Sequence, residues 1–439
     1  MTRNHSALLL GASVLALALP AAARAQDTDP HQGHDMAAMP GMDPQQDQDM
    51  PAMPGMNHTP AGSPAPAEGS GTARLPGNEG AMPGLHVMTG DWMLMAHGSA
   101  SLQYSSFSGP RGDDKAYATS MLMLMGQRDT SWGRVQLKSM LSLEPAMKPQ
   151  GYPNLFATGE TAGGEPLVDR QHPHDLFMEL AARVDLNLGG ETALFVYGGP
   201  VGEPALGPSA FMHRGSARYN PESPITHHWF DSTHITYGVV TAGITSPHWQ
   251  VEGSGFRGQE PDEHRWNIET PRIDSWSVRA TWTPSPAWAA QVSYSRISQP
   301  EALHAGEDER RTTASVHFDN GKGLSTMAAF SAKDRVPGRT LTAWLAEANW
   351  DLDRHNTLFG RVENVANDEL IPDHADPLHD QAFRVTKFQA GYARRIPLGP
   401  AELALGGAIS AFAKPAALDA IYGATPWGYT LFARLILGR

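Results

Sequence analysis

From residue 91 to the C-terminus the sequence predicts an all-β fold, an antiparallel transmembrane β-barrel of about 16 strands, with 14–18 possible. The first observation is punctuation. Short connections rich in Gly, Pro, Asn and Asp fall at residues 127–131, 187–191, 245–248, 283–287, 319–323, 351–356 and 397–401. Long ones alternate with them, at 108–115, 145–173, 200–232, 258–272, 299–310, 334–339, 367–382 and 414–426. The second observation is a period of two. Trp276, Val278, Ala280 and Trp282 share one face of a predicted strand and Ser275, Ser277, Arg279 and Thr281 the other; Trp288, Ala290, Val292 and Tyr294 oppose Ala289, Gln291, Ser293 and Ser295 in the next. The third is aromatic spacing. Trp276 and Trp282, Trp288 and Tyr294, and Trp344 and Trp350 are each six residues apart, or roughly 20 Å at ~3.3 Å per residue, close to the separation of the two aromatic girdles of a membrane barrel. A soluble β-sandwich would also alternate in period two, but it has no reason to alternate its loop lengths.

Residues 1–25 read as a secretory signal: Arg3, an apolar run from Ala7 to Leu19, and the small-x-small site Ala23-Arg24-Ala25. Beyond it no run approaches the ~18 apolar residues of a spanning helix, so membrane residence has to be by barrel. The 439 residues include no cysteine, which excludes disulfides and thiolate metal sites and leaves His, Met, Asp and Glu as metal-holding side chains. A net charge of −13, from 33 Lys plus Arg against 46 Asp plus Glu, argues against nucleic acid as a partner and suits cations.

Residues 26–90 are rich in Met, Pro, Gly, Ala, Asp and Gln and poor in β-branched and aromatic residues, so they are expected to be a disordered tail. Within it Met36, Met39 and Met42 are followed fourteen residues later by Met50, Met53 and Met56, with His31, His34 and His58 flanking. Thioethers are soft ligands that select Cu(I), and imidazole also accepts Cu(II). Copper is therefore the expected ligand, with zinc as the alternative.

In the predicted barrel Met93, Met95, Met121, Met123 and Met125 recur at strand spacing on one face. If that face is the lumen, thioethers line a path for a soft cation; Leu122 and Leu124 make the opposite face apolar too, so either face can meet lipid. Histidines gather in and beside the long loops: His172 and His174 in a His-Pro-His run, His213, His227, His228 and His234, then His264, His304, His374 and His379, with Asp175, Asp231, Asp262, Glu263, Asp373 and Asp376 nearby. The first six are the candidate Cu(II) or Zn(II) ligands, expected at the outer face or pore mouth. The loop 200–213 is too apolar to be purely solvated and is expected to fold into the barrel, carrying Glu203, His213 and Arg214 into the lumen. Ser232-Thr-His234 is expected to open a strand with Ser232 and His234 on one face, the arrangement a lipid hydrolase would need. No phosphate-cradling loop, zincin helix or dinucleotide fingerprint occurs in a suitable context.

The exported Met-x-x-Met-Pro-Gly-Met tail ahead of a barrel resembles, in architecture, the outer-membrane copper resistance protein B family. Arg170-Gln-His-Pro-His-Asp-Leu-Phe-Met-Glu-Leu and His227-His-Trp-Phe-Asp-Ser-Thr-His-Ile-Thr-Tyr-Gly are similar to a sparsely characterised group of exported bacterial barrels associated with copper and heavy-metal resistance clusters. The resemblance implies residence in the outer membrane of a Gram-negative bacterium, contact with its lipid, metal tolerance by sequestration or passage through the pore, and exchange with periplasmic copper-handling proteins; it assigns no ligand residues. One departure is the C-terminus, where Tyr429, Leu431, Ala433, Leu435 and Leu437 alternate correctly but the chain ends Gly438-Arg439 rather than on an aromatic. A soluble periplasmic protein is the competing location, and a nonspecific porin and a barrel lipid hydrolase are the competing functions. A peptide of residues 31–58 titrated with Cu(I) and Zn(II) should bind Cu(I) more tightly; equal affinities would remove the tail's claim to copper.

Overall fold

The computed structural model describes residues 65–438, and in it sixteen antiparallel strands close into a barrel. The last strand, Trp427–Leu437, pairs back on the first, Trp92–Phe107, from Gly428 opposite Phe107 to Leu437 opposite Gly98. Every expected short turn is present, and all lie at one rim. One expected long loop is not: residues 334–339 reduce to a turn at 337–339, because Leu324–Val336 and Thr340–Asp351 extend their pairing to Asp334 opposite Thr340.

The two faces of the wall separate as period two requires. In Ser275–Ser285, Trp276, Val278 and Trp282 are exposed on the outside while Ser277, Arg279 and Thr281 are buried inside. Trp249 and Trp282 pair across strands near the short-turn rim, and Trp276 lies toward the loop rim. Trp344 and Trp350 are exposed on the outer face too. No helix among the described residues is long and apolar enough to cross a membrane; the strands do so, and the protein is an outer-membrane barrel in contact with lipid.

The long loops do not stay outside. The segment 203–235 hydrogen-bonds to the inner wall around most of its circumference. Ala205 N donates to Ser254, Gly207 N to Ser293, Arg214 to Glu347, Thr226 to Glu363 and Tyr219 to Glu402. The expected infolding of residues 200–213 is present, with Glu203 and Arg214 buried. The segment 142–176 enters beside it and buries Leu155 and Phe156 in a core with Trp229 and Phe230.

The tail boundary needs correction. Residues 65–90, assigned above to a disordered tail, are ordered. Ala67–Glu68 pairs with Arg74–Leu75, Thr72 donates to Glu252, Arg74 reaches Ser246 O, and Asn78 reaches Asp319 O, so this strap lies along the short-turn rim inside the barrel. Leu85–Thr89 then pairs with the start of the first strand. Composition misleads here because the strap builds no core of its own: it borrows the polar inner wall for its hydrogen bonds. The signal segment, Met36, Met39, Met42, Met50, Met53, Met56, His31, His34 and His58 lie outside the described residues.

Arginine on the lipid face should cost about 2–4 kcal/mol at mid-membrane. Val292→Arg should therefore raise the urea sensitivity of the folded, heat-modifiable form in phospholipid far more than Gln291→Arg; equal effects would mean the outer face does not meet lipid.

Candidate metal centre

Two infolded loops supply five buried histidines. In the first, Pro173 holds His172 in extended backbone, and residues two apart on an extended chain share a face; the rings of His172 and His174 lie 6.4 Å apart. In the second, the single helical turn His227–Phe230 places Asp231 four residues from His227, and Nδ1 of His227 lies 2.8 Å from Oδ1 of Asp231. A 3₁₀ turn over Ser232–His234 then reverses the chain, so that Nδ1 of His234 donates to the Asp231 carbonyl at 2.7 Å.

The loops interleave. His172 is 5.8 Å from His227 and 6.0 Å from His228, His174 is 5.3 Å from His234, and His227 is 5.2 Å from His228 and 5.1 Å from His234, all between ring centres. One ligand atom each from His172, His227 and His228 falls within 4.8 Å of the others. The geometry brings together His172, His174, His227, His228 and His234 and corrects their expected place from the outer face or pore mouth to the buried interior. The reason is that the loops find partners on the polar wall and need no solvent. His213 stands apart, lining a cavity of about 260 Å³ with His97, His174, Met121, Met178 and Met212.

The hydrogen bonding is of the kind that orients metal-binding histidines. Nδ1 of His174 lies 2.8 Å from Glu144, Nδ1 of His227 is held by the Asp231 carboxylate, and Nδ1 of His234 by the Asp231 carbonyl. Nε2 of His172, His174 and His234 is buried with no hydrogen-bond partner. An unsatisfied buried group costs ~1–3 kcal/mol, and a ligating histidine characteristically has its other ring nitrogen fixed in this way. The residues fit a divalent borderline ion with imidazole ligands, Zn(II) or Cu(II). Asp231 is itself braced. Its Oδ2 accepts from Arg214 Nη1 at 3.2 Å and Phe211 N at 3.0 Å, and Arg214 is anchored to Glu347 in the wall.

Electrostatics divides the five rings. Burial, with Arg265 and the neighbouring imidazoles, pushes His172 well below the usual histidine range; burial, with His227 and His174, does the same to His234. Burial lowers His227 against the pull of Asp231. At His174 burial is outweighed by Glu144, which raises it, and at His228 burial is outweighed by Glu260, which raises it to about 9. Burial pulls His213 down to about 3.

The methionine face expected in the barrel does look inward. Met95, Met121, Met123 and Met125 pack with Met140 and Met178, while Leu122 and Leu124 are exposed on the outside. Ser232 and His234 depart from expectation: they form a turn rather than opening a strand, both are buried, and the Ser232 hydroxyl accepts from Arg311. That geometry offers lipid no nucleophile. Glu144, Glu160 and Glu260, which face the histidines, carried no signal in the sequence, since single carboxylates in long loops are ordinary.

No protein-family model matches the sequence, and no curated protein does. Among solved structures the fold is similar to OmpF of Salmonella typhi in complex with daunomycin, at 8% identity and a TM-score of 0.50, over 80% of this chain and 100% of that one. The anion-selective porin from Comamonas acidovorans, at 11% identity and a TM-score of 0.48, is matched over 79% of this chain and 100% of its own. The first likeness shows a shared porin-like barrel fold.

Replacing Glu144 by Gln removes the charge that fixes the His174 ring while keeping its shape. Zn(II) affinity of the purified protein should fall about 10–100-fold, and an unchanged affinity would detach Glu144 from the centre.

Proposed function

We propose that the protein is a porin-like outer-membrane barrel whose filled lumen binds a divalent metal ion, copper or zinc, at the His172, His174, His227, His228 and His234 cluster. The observation that carries this reading is the convergence of ligand atoms from His172, His227 and His228 within 4.8 Å, beside buried Nε2 atoms of His172, His174 and His234 that have no hydrogen-bond partner. The inward methionines add soft ligands below the cluster, and the tail's methionines and histidines would add a further copper-binding segment. Metal tolerance by sequestration or passage follows from such a site in such a place.

The second reading is a nonspecific porin. The shared barrel fold favours passage of solute as the role of the wall, whereas the loops spanning the lumen narrow whatever passes. In planar bilayers a nonspecific porin would show large conductance indifferent to metal; the metal reading expects small conductance that changes when Cu(II) or Zn(II) is added.

Replacing His172 and His174 together by Ala should lower the Cu(II) or Zn(II) bound to the purified protein while Ser232→Ala leaves it unchanged. Retention of full metal content by the double variant would overturn the histidine centre. The pH dependence has a fixed sign. Only neutral imidazole ligates, and His174 and His228 hold protons above the usual histidine range, the latter to about 9. Occupancy should therefore rise with pH through that window, and loading at neutral pH should release protons, measurable in weakly buffered solution. Uptake without proton release would contradict it.

A further inference from the structure

We infer that the lumen holds a second divalent-cation site, Glu160–His228–Glu260, adjoining the histidine centre through the shared His228 and open to the loop-side vestibule. This rests on the histidine reading above and extends it from one ion to two.

One ligand atom each from Glu160, His228 and Glu260 lies within 4.8 Å of the others, as in the neighbouring set His172, His227 and His228. Imidazole has two ring nitrogens, and His228 would serve both sets as the imidazolate, with both of its ring protons released to solvent when the second ion binds. The second set has its own unmet bonding. Oε1 of Glu260 and Nδ1 of His228 face each other as an ion pair at 3.3 Å, their side chains 8% and 6% exposed, and neither atom meets hydrogen-bond geometry with the other or with any further group. Glu160 is half engaged: Oε2 accepts from Arg265 Nη2 at 2.9 Å, which orients the carboxylate, and Oε1 lies 3.3 Å from Nε2 of His172, which joins the two sets.

Charge points the same way. Glu160 and Asp175 both bind Arg265, and Glu260 lies close enough to Glu160 to repel it. Lys333 pairs with Glu301 and Arg311 with Glu309, and both also help to hold Glu260 ionised. Two carboxylates and an imidazole form an oxygen-rich, borderline set that suits Zn(II) or a similar divalent ion better than a soft monovalent one.

Access is provided too. A cavity of about 340 Å³ is lined by Glu160, Thr161, Glu260, Asp262, Glu263 and His264, and His264 is largely exposed, so the cavity leads from the loop surface to the two carboxylates. Gly159 leaves the imidazole its room. A Cβ there would stand 2.6 Å from the His228 ring, and the backbone at φ +109° favours glycine.

The test is the zinc content of the full-length protein in detergent, measured after equilibrium dialysis against Zn(II), with heat-modifiable migration as the check that each variant is folded. The wild type should hold about two ions per chain, the Glu160→Gln/Glu260→Gln double variant about one, and the His172→Ala/His227→Ala double variant about one. One ion in the wild type, abolished by the histidine substitutions, would overturn the second site and leave the histidine centre standing. None in the wild type would overturn the reading beneath it. Two ions retained by the folded glutamine variant would also overturn the assignment, and the wild-type value decides between one site and two even if that variant fails to fold.

Discussion

Pairing of the last strand with the first is the constraint from which the remaining architecture follows. In lipid an open sheet edge would leave a row of amide and carbonyl groups with no partner. Closure between Gly428–Leu437 and Gly98–Phe107 removes that edge. It also fixes the diameter, and a sixteen-stranded cylinder is wider than its own wall side chains can fill. The chain fills it with two loops and a strap. Because the inner wall is the polar face of every strand, what enters must be polar as well, and it arrives paired: Arg214 and Arg361 both meet Glu347, and Lys387 meets Glu222 at 2.7 Å. Ion pairs of this kind repay desolvation only when every member is satisfied, so the few groups left over stand out.

Imidazoles are prominent among those groups. Loops expected to keep their histidines in solvent carry them instead into the buried interior, where burial pushes His172 and His234 below the usual histidine range and neighbouring carboxylates raise His174 and His228 above it. Such a cluster would suit a cation once His174 and His228 give up their protons, which couples any binding there to proton release.

The wall was legible in the sequence because lipid imposes a one-dimensional rule: apolar and polar residues alternate, and Trp276 and Trp282 mark the two interfaces. The closing strand was legible as well, although it ends on Gly438-Arg439, since register and not a terminal aromatic closes the ring. The histidines were legible as a set but not as a place. Pro- and Gly-rich loops look solvated, and no local pattern shows that Glu347, Glu363 and Glu402 across the lumen will satisfy them. The same blindness made the strap at 65–84 look unable to fold and made Ser232–His234 look like a strand, when Asp231 turns the chain there. Glu144, Glu160 and Glu260 became visible only in three dimensions, each being distant in sequence from the ring it faces.

Asp231 serves two histidines, one through its carboxylate and one through its carbonyl, and is pinned by Arg214 to a strand of the wall. The histidine cluster is thus tied to the wall and not only to its own loops. For an ion held there as proposed, discrimination among metals would depend on how far the wall lets the rings move to suit each coordination polyhedron, as much as on donor softness.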